Sequence, residues 1–264
     1  MMKLERLTQA SDARDLPLIE GEPAAFSVLH KILAQPCEKI ITDHARLILC
    51  HSARPYPVWV FTAADADAAE LERAWQVVRA EFPPEAGFSY NVRDALAEIA
   101  MREGLRATMR LNAYACAQAV EPARKPEGYF GAAMMSEAAL CARWIGRFRE
   151  ECGLGQPDLA KDREEAERII GARRLFLWRD AQGVPCAMCG VRQDGRDATL
   201  THVYTDPDRR RQGYAASLTY GVTHAILAQQ MRAMLYADAD YAPSNACYRG
   251  IGYRLEGTIC TVQR

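Results

Sequence analysis

The sequence predicts an α/β chain of mixed α+β character, with a smaller amino-terminal α/β domain over residues 1–122 and a second domain over residues 123–264. Three observations lead there. Short β-branched runs alternate with stretches whose apolar residues recur every three or four positions, the periods of strand and helix. The chain's 264 residues exceed the ~100 to 200 usual for one domain. Finally, Pro122 to Gly128, PARKPEG, combines two prolines, a glycine and charged residues, the composition of a linker.

In chain order, Ala24 to Ala34 reads as a helix, Leu47 to Cys50 and Val58 to Phe61 as buried strands around a turn, and Ala68 to Glu81 as an amphipathic helix. Leu71, Trp75 and Val78 share a face of that last helix, and Pro83-Pro84 stops it. Asn91 to Glu103 reads as another helix and Thr108 to Ala117 as a strand. No internal repeat is visible. His30, His44 and His51 lack neighbouring ligands at a metal-helix spacing and read as ordinary histidines.

Beyond the linker, Tyr129 to Met134 reads as a strand, and Ser136-Glu137 opens a helix to Glu151 carrying Leu140, Trp144, Ile145 and Phe148. A second helix covers Asp162 to Gly171. Arg174 to Arg179, Val184 to Arg192 and Ala198 to Thr205 are strands joined by glycine-bearing turns of hairpin length. Asp206-Pro207 ends the third of these. A polar loop, Asp208 to Gln212, leads through Gly213 into a helix reaching about Gln230, with Tyr214, Ala215, Leu218, Val222, Ala225 and Ile226 on one face. Met234 to Ala237 is then a short strand, Asn245 to Arg249 a short helix with Ser244 as N-cap, and Tyr253 to Val262 a final strand.

The strand, basic glycine loop and helix form an anion cradle. The first turn of a helix leaves main-chain N–H groups without acceptors at the positive end of its dipole. Small residues at Gly213 and Ala215 let a diphosphate approach, and Arg209, Arg210 and Arg211 add positive charge.

Composition narrows the alternatives. A formal net charge of −1 and three clustered arginines without interleaved aromatics argue against nucleic acid, and no run of eighteen apolar residues argues for a membrane. The amino terminus has no apolar core behind a basic start. Nine scattered cysteines are unlike a disulfide framework, and a cytoplasmic location is expected. Cys186 and Cys189, a C-x-x-C pair within a strand, read as packed residues facing opposite sides. No metal is expected.

Arg210-Arg211-Gln212-Gly213-Tyr214-Ala215 resembles the acyl-coenzyme A loop of the GNAT N-acetyltransferase superfamily, and Leu235 to Asp238 with Ser244 to Tyr248 and Gly252-Tyr253 resembles that family's second motif. The resemblance implies a GNAT fold around a central mixed, mostly antiparallel sheet for residues 123–264, with residues 1–122 a degenerate copy lacking a cofactor loop. It implies acetyl-CoA as co-substrate and transfer of an acetyl or short acyl group to a primary amine of a small molecule, amino acid or peptide. Main-chain groups of Val203, Tyr204 and Thr205 would meet the pantetheine arm and thioester. Arg210, Arg211, Gln212, Gly213, Tyr214, Ala215 and Ala216 would hold the diphosphate, and Asn245 would lie beside the pantetheine. Tyr248 would be the general acid toward sulfur, and Trp144, Arg147 and Phe148 would wall the acceptor pocket, with core packing the alternative for the two aromatics. The glutamate that some members carry as base is replaced here by Thr199, which leaves His202, a water chain through Tyr204, or capture of the free amine. It also leaves open a coenzyme A-binding regulatory or interaction protein without transferase activity. The expected assembly is a monomer or homodimer.

Overall fold

The computed structural model describes residues 4–7, 18–19 and 21–264, and the reading of the extreme amino terminus falls largely outside them. The chain forms two compact units. One comprises residues 1–113, 237–240 and 255–264, the other 114–236 and 241–254. These divisions differ from the boundary expected at 122/123. Composition marks where a chain is polar, whereas sheet register decides which unit a strand joins.

In the first unit, β1 (Glu5–Leu7), β2 (Lys39–Thr42), β3 (Leu47–His51) and β4 (Val58–Thr62) pair antiparallel in sequence order. β5 (Tyr90–Arg93) then lies parallel to β4, after the crossover helix α2 (Ala68–Glu81). Helix α1 (Pro23–Leu33) precedes β2, and α3 (Asp94–Arg102) follows β5. Residues 91–93, expected to be helical, are therefore strand. Tyr90 and Val92 belong to the core, and Arg93 is the helix's N-cap. The final strand β12 (Arg254–Gln263) pairs antiparallel with β5, Cys260 opposite Val92, and its other neighbour is β6 (Arg106–Cys116). Trp75, Val78, Tyr90, Leu96 and Val262 fill the core. β3 and β4 are buried at every position, which explains why both read as continuous apolar runs.

In the second unit, β7 (Tyr129–Ala132), β8 (Leu175–Arg179), β9 (Pro185–Asp194) and β10 (Asp197–Thr205) pair antiparallel, and β11 (Arg232–Asp238) lies parallel to β10 after helix α6 (Tyr214–Ala228). The sheet is thus mixed and mostly antiparallel, as expected. Helices α4 (Ala138–Glu151) and α5 (Leu159–Gly171) cover it with Trp144, Ile145, Ala166 and Ile170 against Leu175, Leu177 and Met188. They touch closely at Gly146, where a Cβ would stand 2.6 Å from Asp162 Oδ2. Asp162, 1% exposed, is held by Arg149 and by the Asp158 amide. Cys186 and Cys189 are buried in β9, and no disulfide joins the cysteines among the described residues.

A pseudo-repeat appears that no sequence pattern discloses. In each unit three successive antiparallel strands, β2–β4 in one and β8–β10 in the other, are followed by a crossover helix, a parallel strand and a short helix, the last being α3 in one and α7 (Ala242–Gly250) in the other.

The linker is ordered by one glycine. Gly128 has φ +126, and a Cβ there would lie 2.0 Å from the Arg179 carbonyl oxygen, a main-chain atom that cannot yield. Gly128→Ala is expected to lower stability by roughly 2–3 kcal/mol, through strain and lost β7–β8 pairing, read as a fall in urea midpoint at unchanged slope.

Candidate functional site

The site begins where β10 leaves β11. Their parallel register runs from Asp197 opposite Arg232 to Leu200 opposite Leu235, although the two strands continue to Thr205 and Asp238. At that point β10 bulges: Thr201 faces Gly190 and Tyr204 faces Met188, so three steps on one strand match two on the other. His202 sits in the bulge at φ 49. Gly190 is what admits it, since a Cβ there would come within 2.8 Å of Thr201 Oγ1. Tyr204 and Thr205 therefore retain β9 as a partner, and Val203, Tyr204 and Thr205 lie beyond the end of the β11 register.

The loop that follows is braced from below. Asp206 donates its amide to Cys186 and caps the turn Pro207–Arg209 through Asp208. Arg209 pairs with Asp180, which is 5% exposed. Arg210 is held by both Glu151 oxygens (2.7 and 2.8 Å) and the Thr205 carbonyl, with its guanidinium 5.4 Å from the centre of the Tyr204 ring. Two of the three arginines are thus engaged with carboxylates. Arg211 is in no ion pair among the described residues. It adopts φ 60 and Gly213 φ 92, and between them the chain turns into α6.

The start of that helix is bare. Its first bond is from Ser217 N–H to the Gly213 carbonyl, and no side chain of the described residues caps it. Among the described residues, the six N–H groups from Arg211 to Ala216 have no acceptor. Next to them runs the linker. Arg124 donates to the Arg211 carbonyl at 2.8 Å, and a Cβ on Gly213 would meet the Arg124 carbonyl and Pro126 at 3.4 Å. A cluster of unclaimed amides at a helix start is a donor set suited to a phosphate or diphosphate.

The first unit offers a contrast at the same place in its order of elements. There α2 begins with Asp67, whose carboxylate accepts from the Glu70 amide while Glu70 reaches back to the Asp67 amide. That capping box fills the helix start with the chain's own anions.

Helix α7 begins at Ala242, so Ser244 lies inside it and bonds the Tyr241 carbonyl rather than capping. Asn245 is 3% exposed: its Oδ1 accepts from Tyr114 Oη at 2.9 Å and its Nδ2 donates to the Tyr241 carbonyl at 2.9 Å. Tyr248 stands one turn on, its ring 6.5 Å from Tyr114 and 6.1 Å from Tyr253. Burial pushes its phenol well above the ordinary tyrosine range, so it is protonated at any working pH. Tyr253 is anchored by Thr223 at 2.8 Å, and Gly252, at φ +101, lets the turn approach the Gln118 carbonyl.

On the side facing α4 and α5, Trp144 is core, 2% exposed and 6.1 Å from Tyr204. Phe148 meets the His202 ring edge-on at 5.4 Å. Glu151 accepts from Tyr204 Oη at 3.3 Å, and Arg147 also bears on that phenol. His202 Nε2 is 3.6 Å from Glu165, and among the described residues its buried Nδ1 has no hydrogen-bond partner. Its pKa is lowered, by burial first and by Arg149 and Arg168 as well, against the opposing pull of Glu165 and Asp162.

Elsewhere His44 and His51 each face one carboxylate, Glu5 and Glu38. Among the described residues no group of three potential ligands could hold a metal, and no helix is long and apolar enough to cross a membrane.

Residues 181–262 match the family model described as FR47-like protein. No curated protein matches the chain. Among solved structures it resembles an acetyltransferase of the GNAT family from Colwellia psychrerythraea (11% identity, TM-score 0.62, 98% of each chain covered). It also resembles a GCN5-related N-acetyltransferase from Sphaerobacter thermophilus (14% identity, TM-score 0.65, 98% of this chain and 94% of that one). A third is a tandem GNAT protein from the clavulanic acid biosynthesis pathway (12% identity, TM-score 0.54, 98% of each chain). At these identities the likeness concerns the fold.

The depressed His202 pKa has a consequence for stability. The folded protein holds the ring neutral, whereas the unfolded chain takes up a proton near the ordinary ~6.5. Stability contributed by this group is present above that pH and is lost as pH falls toward the folded-state pKa. His202→Asn, which tolerates the positive φ, is expected to flatten the fall in urea midpoint on acidification below pH ~6.5.

Proposed function

We propose that this chain, which has the GNAT fold, is an acyltransferase that moves an acetyl or other short acyl group from acetyl-CoA to a primary amine of a small molecule, amino acid or peptide. One observation carries the reading: six consecutive amides at an uncapped helix start, directly after a strand that parts from its parallel neighbour. The amides of Arg211 to Ala216 are the proposed diphosphate ligands. Arg210 is a brace for the loop rather than a ligand, because Glu151 and Thr205 already hold it.

The main-chain edge of Val203, Tyr204 and Thr205 is the proposed partner for the pantetheine amides and the thioester carbonyl. Asn245 shapes that wall through its bonds to Tyr114 and Tyr241, and contacts the arm by position rather than by an unused amide. When bound, acetyl-CoA supplies an activated acyl group. The neutral amine attacks its carbonyl carbon, a C–N bond forms, the C–S bond breaks, and the electron pair goes to sulfur. Tyr248, kept protonated by burial and in no hydrogen bond among the described residues, is the proposed donor toward that sulfur.

The amine's proton needs another route. His202 is neutral near pH 7 but lies against Phe148 and Glu165, while the Tyr204 phenol leads to the Glu151 carboxylate. The latter offers a relay that begins on the strand carrying the proposed thioester contacts. A second reading, a coenzyme A-binding protein without transferase chemistry, is favoured by Thr199. It is 4% exposed in the β10 ladder, where some GNAT members place a base.

Calorimetry with acetyl-CoA, followed by thiol release against an amine panel, separates the two readings. Binding with release supports transfer, binding alone supports the second, and absence of binding overturns both. Gly213→Glu is expected to abolish coenzyme A binding by placing a carboxylate among the amides. Tyr248→Phe should lower kcat by roughly 10²-fold with little change in coenzyme A affinity, and an unchanged kcat would remove it as the acid.

A further inference from the structure

We propose that Cys37 and Cys50 are a redox-sensitive thiol pair that closes to a disulfide when the protein meets a small-molecule disulfide such as oxidised glutathione. These two lie sulfur to sulfur, Cys50 Sγ donating to Cys37 Sγ at 3.5 Å. Cys37 Sγ is in turn 3.4 Å from the Gln35 carbonyl and 3.5 Å from that of Ile32. The two protons are thus ordered: Cys37 directs its own toward the end of α1 and receives that of Cys50. The hydrogen bond from Cys50 lowers the Cys37 pKa against the opposing effect of burial, while that bond and burial raise Cys50.

The surroundings allow closure. Cys50 is fixed in β3, opposite Ile40 on one side and Trp59 on the other. Cys37 lies on the link between α1 and β2, 6% exposed beneath Ala34, Gln35 and Pro36, which are exposed. Forming a bond of about 2 Å from 3.5 Å brings the two sulfurs closer by about 1.5 Å, a movement that falls to the link carrying Cys37 because Cys50 is laddered on both sides. Cys186 and Cys189 do not form such a pair, because positions three apart in β9 face opposite sides of the strand.

The chemistry balances in two exchanges. Cys37 thiolate attacks one sulfur of oxidised glutathione, forming a mixed disulfide and expelling one glutathione thiolate. Cys50 thiolate then attacks the Cys37 sulfur and expels the second. Two protein thiols are oxidised, one glutathione disulfide is reduced to two glutathiones, and the two thiol protons leave with them. The attacking thiol is the shallower one with the lowered pKa, and the resolving thiol is the deeper one.

The test uses the folded full-length chain equilibrated with oxidised glutathione, then blocked with N-ethylmaleimide and digested without reduction. The expected result is a Cys37–Cys50 cross-linked peptide that carries no glutathione, is reversed by dithiothreitol and raises the urea midpoint of the oxidised protein. In Cys50→Ser, glutathione should instead remain on Cys37. The proposal is overturned if both thiols stay alkylatable while the exposed Cys152 is fully glutathionylated, or if Cys37 of the wild-type chain retains glutathione.

Discussion

What the second unit does not do at the head of α6 governs everything proposed for it. A helix start exposes several donors, and most helices answer them with a side chain from the preceding residue. Here that residue is Gly213, and the amides from Arg211 onward are left unanswered. In the first unit the same step from strand to crossover helix carries Asp65, Asp67 and Glu70, and the last two close a reciprocal cap. One topology therefore gives opposite electrostatics. An anion approaching α2 would meet carboxylates already bonded to the amides it needs, whereas at α6 no carboxylate of the described residues is bonded to the amides. If the chain binds coenzyme A as proposed, this contrast is a physical reason for the ligand to choose α6 over α2.

The second constraint is the bulge in β10. A regular strand would remain laddered to β11 along its length, leaving no main-chain edge to receive a peptide-like arm. Inserting an extra residue between Thr201 and Tyr204 rotates the strand, and the insertion depends on Gly190 having no side chain and on His202 accepting a left-handed conformation. The bulge also brings His202 under α4 and α5 rather than leaving its placement to alternation. Its Nδ1, without a hydrogen-bond partner among the described residues, and its proximity to Glu165 follow from packing against those helices.

Much of this was legible in the sequence, for definite reasons. The helix Ala68–Glu81 and the strands of the second unit announce themselves through period and turn residues, and the motif from Arg210 to Ala215 locates the helix start. Local signals failed where pairing is long-range. Asn91 and Val92 sit beside a strong helix former, yet Cys260 and Thr261 draw them into a sheet across most of the chain's length. Glu151 was invisible as a site residue because nothing in a helix sequence says that its last carboxylate will meet an arginine 59 positions away. Ser244 looked like a cap because it precedes an apolar stretch, but Pro243 in the first turn lets the helix begin earlier. The repeat was hidden because the units share an order of elements rather than residues.

The arginine loop holds together by an arrangement that composition alone would misread. Three adjacent arginines suggest a reservoir of positive charge for a ligand, yet Arg209 and Arg210 are neutralised by Asp180 and Glu151. Their contribution is geometric, fixing where the amides point. Arg210 does more than brace. It lies over the Tyr204 ring and shares Glu151 with the Tyr204 phenol, joining the loop that would hold the diphosphate to the helix that lines the opposite side of the strand. Any rearrangement of Glu151 on meeting an amine would be felt at Arg210, and through it at the first of the unclaimed amides. Charge that looks intended for the ligand is better understood as the connection between the two halves of one site.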